Sequence, residues 1–309
     1  MFIVACGGNA PPAAPTVAAT SALPTTVVVA VTSVPPTVTP VPPTSTSVPA
    51  AMEQIESEPA VVVFRVTDRS IEVPESIPAG LTTIRLVNDG SVRHELTLIR
   101  VNDGRTADEL ETQTKLQNWP TGWAPTVASI RAEAGESNEF TVRLIPGIFA
   151  AVDWGTRSDS VPHSALGVYT GFEVMEPDSA DIAWDPDTVE IGLEDFFFTG
   201  IQDLSAGRHD FKIVNRSGDQ PHALSFVPLD EGQTAAELFE NFRSVKFGGS
   251  PIENLERQVS IGWIGAGQEI EYSVELAAGN YAVVCLIPDG FPGTPHVNLG
   301  MLGQITVSG

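Results

Sequence analysis

GNYAVVCLIPDGFPGTPHVNLGM, residues 279–301, reads as a short apolar strand ending in a cysteine, then a long loop carrying a histidine and a methionine. A second short strand, GQITV, follows at 303–307. The run NYAVVC is apolar, short and opened by Gly279, which is the pattern of a buried strand. An earlier stretch, GIFAAVDWGTRSDSVPHSALGV (147–168), lies over it. Gly147 answers Gly279, His163 answers His296 and Gly167 answers Gly300.

The match continues upstream. IPAGLTTIRLVNDGSVRHELTLIRVNDGRTADEL (77–110) lies over LSAGRHDFKIVNRSGDQPHALSFVPLDEGQTAAEL (204–238). Gly80 answers Gly207, Asn88 answers Asn215, and His94 answers His222 after one inserted residue. A match over most of each half predicts an internal duplication. Within a copy, runs such as VVVFRV, TTIRLVN, HELTLIR and EFTVRLI, or FKIVN, HALSFV and IEYSVEL, alternate or are apolar, with Gly, Pro, Asn or Asp at their ends. TADELETQTKL (106–116) and TAAELFENFRSV (234–245) interrupt the pattern. Each opens with a threonine and an acidic residue three positions on, the capping-box signature of a helix start. The expected fold class is all-β: two tandem Greek-key sandwiches, each with one short helix in a connection. They would span 55–177 and 178–309, joined through DSADIAWDPD (178–187).

Of 309 residues, 42% are hydrophobic and 18% charged, enough apolar side chain for real cores. The formal net charge is −23, from 39 acidic and 16 basic residues. That balance argues against nucleic acid and anionic membrane surfaces as direct partners and suits a basic protein partner. The two cysteines, Cys6 and Cys285, lie far apart in unlike surroundings and make no disulfide framework.

The opening MFIVACGGNA resembles a bacterial lipobox, which makes residues 1–9 a remnant of a lipoprotein signal and Cys6 the lipidated residue. Residues 10–54 are almost only Pro, Thr, Ser, Ala and Val, a composition for an extended tether. The expected location is therefore extracytoplasmic: a membrane-anchored lipoprotein at the cell surface or in the periplasm.

Cys285, His296 and Met301 share one loop, and His222 begins a strand after the turn NRSGDQP. Singly, each residue type is ordinarily packing. Two histidines, one cysteine and a methionine in this order match the trigonal site with a weak axial thioether that suits mononuclear copper. The second half resembles the cupredoxins, the blue copper proteins. The resemblance rests on N-x-x-x-x-x-P-H (Asn215 to His222), the cysteine-ended strand, and H-x-x-x-x-M before the last strand, over about residues 180–309. It implies one type 1 copper, with His222, Cys285 and His296 as strong ligands and Met301 as the axial one. Of the histidines, His296 would present its edge to solvent. Ten residues lie between Cys285 and His296, more than in the small blue copper proteins, so PDGFPGT would bulge outward.

The first copy keeps His94 and His163 but has Asp153 where the second has Cys285, and Val168 where it has Met301. It is either a retired site on a domain kept for structure or docking, or a hard site of His94, Asp153 and His163 for Zn²⁺ or Cu²⁺.

The resemblance also implies what a copper enzyme would need. Multicopper oxidases carry His-x-His pairs, absent here, and copper nitrite reductases have a histidine where this chain has Val284. The expectation is thus a non-enzymatic, lipid-anchored one-electron carrier with a basic, cytochrome-like redox partner. The alternatives are a non-redox copper storage or delivery protein and a metal-free surface interaction module.

Overall fold

The structure, a computed structural model, describes residues 58–309 except 103, 117–121, 157–160, 178–181, 202–203, 245–251 and 291–292. Cys6 and the stretches 1–9 and 10–54 lie outside the described residues.

The apolar runs form strands. In the first copy these are β1 (Ala60–Val66), β2 (Ile71–Glu72), β3 (Ser76–Pro78), β4 (Gly80–Asn88) and β5 (His94–Val101). Then come β6 (Thr126–Ala132), β7 (Ser137–Leu144), β8 (Gly147–Asp153) and β9 (Tyr169–Met175). The second copy begins with β10 (Val189–Glu194), β11 (Phe197–Thr199), β12 (Gly207–Asn215) and β13 (His222–Pro228). It continues with β14 (Val259–Ile264), β15 (Glu269–Leu276) and β16 (Gly279–Val284). The last are β17 (Pro288–Asp289), β18 (Thr294–Pro295) and β19 (Leu302–Val307). The fold is all-β.

Helix α1 (Ala107–Lys115) connects β5 to β6, and α2 (Ala235–Ser244) connects β13 to β14. Both start where the sequence predicts. The Thr106 hydroxyl accepts from Glu109 N–H while the Glu109 carboxylate accepts from Thr106 N–H, and Thr234 and Glu237 repeat the pair. Each box satisfies two helix-end donors. A one-turn helix, α3 (His296–Leu299), precedes β19.

Two sheets face each other. One runs β11-β10-β12-β15-β7-β4-β1-β2, the other β19-β16-β13-β14-β6-β5-β8-β9-β3. Alternate side chains point inward, as in β15, where Ile270, Tyr272, Val274 and Leu276 are buried. Phe64, Ile84 and Phe140 of the first sheet share one core with Leu96, Ile130 and Phe149 of the second.

Both sheets run through from one copy to the other, because β7 pairs with β15 and β6 with β14. The registers Ile270↔Val142 and Glu271↔Thr141 lie symmetrically about Phe140 and Tyr272, which the repeat places at equivalent positions. Edge strands are thereby paired rather than left open. Both copies fall within one compact unit, Ile55–Gly309.

Candidate metal centre

In the second copy, β13 begins at His222 and β16 ends one residue before Cys285. The two strands are antiparallel neighbours, with Ser225 opposite Val284, so their site-bearing ends meet at one end of the sheet. The turn before His222 is held by buried Asn215. Its Nδ2 donates to the carbonyls of Gln220 and Ile264, both at 2.8 Å, and its Oδ1 accepts from Ser217 N–H at 2.9 Å.

The loop after Cys285 is closed by backbone bonds. Val297 N–H donates to the Cys285 carbonyl at 2.8 Å, and His296 N–H to that of Ile287 at 2.8 Å. Cys285 N–H donates to the Met301 carbonyl at 3.2 Å, and Met301 N–H to that of His296 at 3.0 Å. The last bond needs Gly300 at φ 119, a left-handed conformation that side chains avoid. Pro288–Asp289 and Thr294–Pro295 pair as a two-strand ribbon, which brings the two ends of the long segment together between Cys285 and His296.

The Nδ1 atoms of His222 and His296 face each other at 3.0 Å, and the Cys285 Sγ lies 3.9 and 3.5 Å from them. Cys285, His222, His296 and Met301 are all 0% exposed. Cys285 and Met301 share one apolar cluster. The sequence places the His296 edge at solvent, and the structure corrects this: Phe196 covers both imidazoles. Its ring stands edge-on to those of His222 and His296, with centroids 6.5 and 5.3 Å away. Phe196 is also the one non-glycine residue with positive φ, 67°, among the described residues.

Burial governs the protonation of this cluster. It lowers the His222 pKa to about 4, helped by the neighbouring His296 and opposed by Asp195. It lowers His296 too, against Asp289 and Asp195. The Cys285 thiol rises to about 11 by burial, although the N–H groups of Ala223 and Ile287 pull it down. Both imidazoles are therefore neutral at pH 7, with Nδ1 free to act as a donor atom. Two such nitrogens pointed at one another beside a sulfur fit a soft or borderline cation, which would also draw the proton off the thiol.

The first copy builds the same frame with a carboxylate in it. Asp153 Oδ2 lies 2.5 Å from His94 Nδ1 and 2.8 Å from His163 Nδ1. Its Oδ1 accepts from Glu95 N–H at 3.0 Å and Gly155 N–H at 2.8 Å. Val168, at the Met301 position, is buried, and Gly167 takes φ 92 as Gly300 does. Burial opposes a charge on His94, yet Asp153 and then Asp68 outweigh it, and the His94 pKa is raised.

Asp68 and Asp195 are absent from the sequence reading. Val66 pairs with Asn88 and Leu193 with Asn215, so two residues on, Asp68 and Asp195 occupy matching positions. Each approaches the Nε2 of its copy's first histidine, at 3.3 Å for Asp68 and 3.9 Å for Asp195. Extending the repeat upstream past Gly80 and Gly207 would have paired them. His209 takes no part; its Nε2 lies 2.7 Å from the Ser205 carbonyl and its ring stacks on Phe211.

No protein-family model matches this chain, and no curated protein does. Among solved structures it is similar to a dithionite-reduced auracyanin from Roseiflexus castenholzii, at 21% identity over 41% of this chain and 100% of that one, TM-score 0.28. Auracyanin A from Chloroflexus aurantiacus, described as a "blue" copper protein, matches at 21% identity over 40% and 100%, TM-score 0.25. A copper-containing nitrite reductase from Thermus scotoductus matches at 16% identity over 80% of this chain and 61% of that one, TM-score 0.22. At these values the likeness is one of fold alone. It does correct one expectation: an enzyme is among the proteins sharing this all-β fold, so the sequence-based exclusion of an enzyme falls.

Proposed function

We propose that the second copy holds one type 1 copper through His222, Cys285 and His296, with Met301 as the weak axial ligand. The observation that carries this reading is the convergence of two neutral imidazole Nδ1 atoms and one buried sulfur in a closed apolar cluster. Copper bound there supplies one-electron redox chemistry between Cu(I) and Cu(II). The chain's part is to fix the donors. Asn215 and the backbone bonds of 285–301 hold the ring and sulfur positions, and Phe196 keeps water out. A rigid dry cage changes little between oxidation states, which suits electron transfer.

We extend this to a carrier on a tether, lipidated at Cys6 and facing a basic redox partner across its −23 charge. In this reading 55–177 and 178–309 are the two domains of that carrier, packed within one compact unit. Among the described residues no helix is long and apolar enough to cross a membrane, and the anchor in this reading is the lipid on Cys6. A Cys6→Ser chain found in the membrane fraction as abundantly as the unaltered one would remove the anchor from this reading.

The decisive experiment is a visible spectrum of the copper-loaded protein. An intense thiolate-to-Cu(II) band, lost in Cys285→Ala, supports the reading; a colourless copper-loaded protein overturns it. A second reading, copper storage or delivery, is favoured by one observation, the complete burial of both histidines. It requires a colourless protein that retains only Cu(I).

A further inference from the structure

The first copy carries a cluster that copper in the second does not use. We infer that His94, Asp153 and His163 form a second metal site, for Zn²⁺ or another divalent ion of like preference, that takes no part in the copper chemistry.

Three donor atoms converge, all within 4.8 Å of one another and all but closed to solvent. Asp153 is aimed: two backbone N–H groups occupy Oδ1, leaving Oδ2 for the ring nitrogens. His94 is aimed as well. Its Nε2 meets Asp68, which is itself held by Ser91 N–H at 2.8 Å and the Ser91 hydroxyl at 2.6 Å. A carboxylate behind the far nitrogen is the usual support of a metal-binding histidine, because it fixes the tautomer with Nδ1 free.

Charge points the same way. Two carboxylates, Asp153 and Asp68, bracket His94, and their remaining partners are N–H groups, a hydroxyl and the His163 ring. With neutral imidazoles the cluster carries two negative charges, which a divalent cation balances. A tetrahedral ion at about 2.0–2.1 Å from each donor sets them roughly 3.3 Å apart, so Asp153 Oδ2, now 2.5 and 2.8 Å from the two Nδ1 atoms, parts from each by under an ångström. A Cβ on Gly155 would stand 2.9 Å from Asp153 Oδ1 and 3.1 Å from His163 Nδ1, so the bare glycine keeps that side of the donors open. A Cβ on Gly90 would stand 2.6 Å from both His94 Nε2 and Asp68 Oδ1, so that glycine lets the carboxylate reach the ring from behind. A cavity of about 220 Å³ lies against Glu95 and Gly155, the two residues whose N–H groups hold Asp153 Oδ1. With two nitrogens, one oxygen and no sulfur, the set prefers Zn²⁺ to Cu(I).

The inference does not rest on the copper assignment, and its test keeps the two apart. The full chain carrying His222→Ala and Cys285→Ala is incubated with Zn²⁺, desalted and assayed for metal. The expected result is about one zinc per chain, falling to background with Asp153→Asn or His163→Gln, and binding weakened at least about tenfold by Asp68→Asn. Absence of retained zinc, or retention unchanged by both Asp153→Asn and His163→Gln, overturns it. Should the doubly altered chain not fold, nitrogen chemical shifts of the imidazoles in the copper-loaded, otherwise unaltered chain decide. Zinc moves Nδ1 of His94 and His163 if the site is real and leaves both in place if it is not. In either outcome the band that depends on Cys285 is unaffected by Asp153→Asn.

Discussion

His222 and His296, 74 residues apart in the chain, bring their Nδ1 atoms to 3.0 Å of each other inside a fully buried cluster. Neither ring reaches solvent, and the far nitrogen of each is buried without a hydrogen-bond partner. Such nitrogens lose hydration and regain little, so the rings stay in place only because the frame around them is stiff. That stiffness comes from residues that donate nothing to the metal.

Phe196 is the first of these. Its ring covers both imidazoles, and its backbone is held at φ 67, where glycine sits more easily. Phe196→Gly relieves the backbone while removing the cover. The expected outcome is copper lost to a chelator about tenfold faster or more, with the unfolding midpoint little changed. An unchanged loss rate would mean the ring does not seal the site.

Asn215 is the second. It makes three hydrogen bonds across the turn before His222, as Asn88 does before His94 through Val92, Ala132 and Gly90. Asn215→Leu leaves two carbonyls and one N–H unpaired in a buried turn. Denaturant unfolding should show a loss of about 2–4 kcal/mol, and copper affinity should fall with it. Asn88→Leu should cost a similar amount of stability and leave copper affinity intact.

The strands, both helices and the order His222, Cys285, His296, Met301 were legible because their signals are local: alternation, a threonine with an acid three residues on, and a repeated spacing. The Asn88–Asn215 pair was visible as a repeat, though not its three bonds. The cover over His296 was not legible, since it depends on a ring about a hundred positions earlier that arrives through the β10–β11 hairpin. The seam between copies was hidden for a related reason. Strands β6 and β14 meet edge to edge, and nothing in a strand's own sequence pattern says which edge it will meet.

That seam has a steric signature. A Cβ on Gly265 would lie 1.8 Å from the Thr126 carbonyl oxygen, and one on Gly262 would lie 2.2 Å from that of Ser129. Both glycines belong to one copy and both carbonyls to the other. Gly265→Ala should therefore push strands β6 and β14 apart within their shared sheet and cost about 2–3 kcal/mol by thermal or denaturant unfolding. Gly303→Ala, whose Cβ meets only ordinary contacts at 3.7 and 3.8 Å, should stay within about 1 kcal/mol of the unaltered chain.

Glu269 ties the seam to pH. It accepts from Trp184 Nε1 at 2.9 Å and pairs with Lys212 at 2.8 Å, next to the β7–β15 register. Burial raises its pKa, but Lys212 first, then Trp184, outweigh burial and the value is lowered. A carboxylate whose folded pKa lies below its unfolded one stabilises the fold above the unfolded value and loses that contribution as pH falls through the folded one. The unaltered chain should therefore exceed Glu269→Gln in stability by about 1 kcal/mol at pH 7, a figure kept small because the side chain is 32% exposed. The two should converge as pH falls below the usual carboxylate value of 4.5. Thermal midpoints of both chains from pH 3 to 7 check this, and parallel curves across that range would show that Glu269 acts through packing and not through charge.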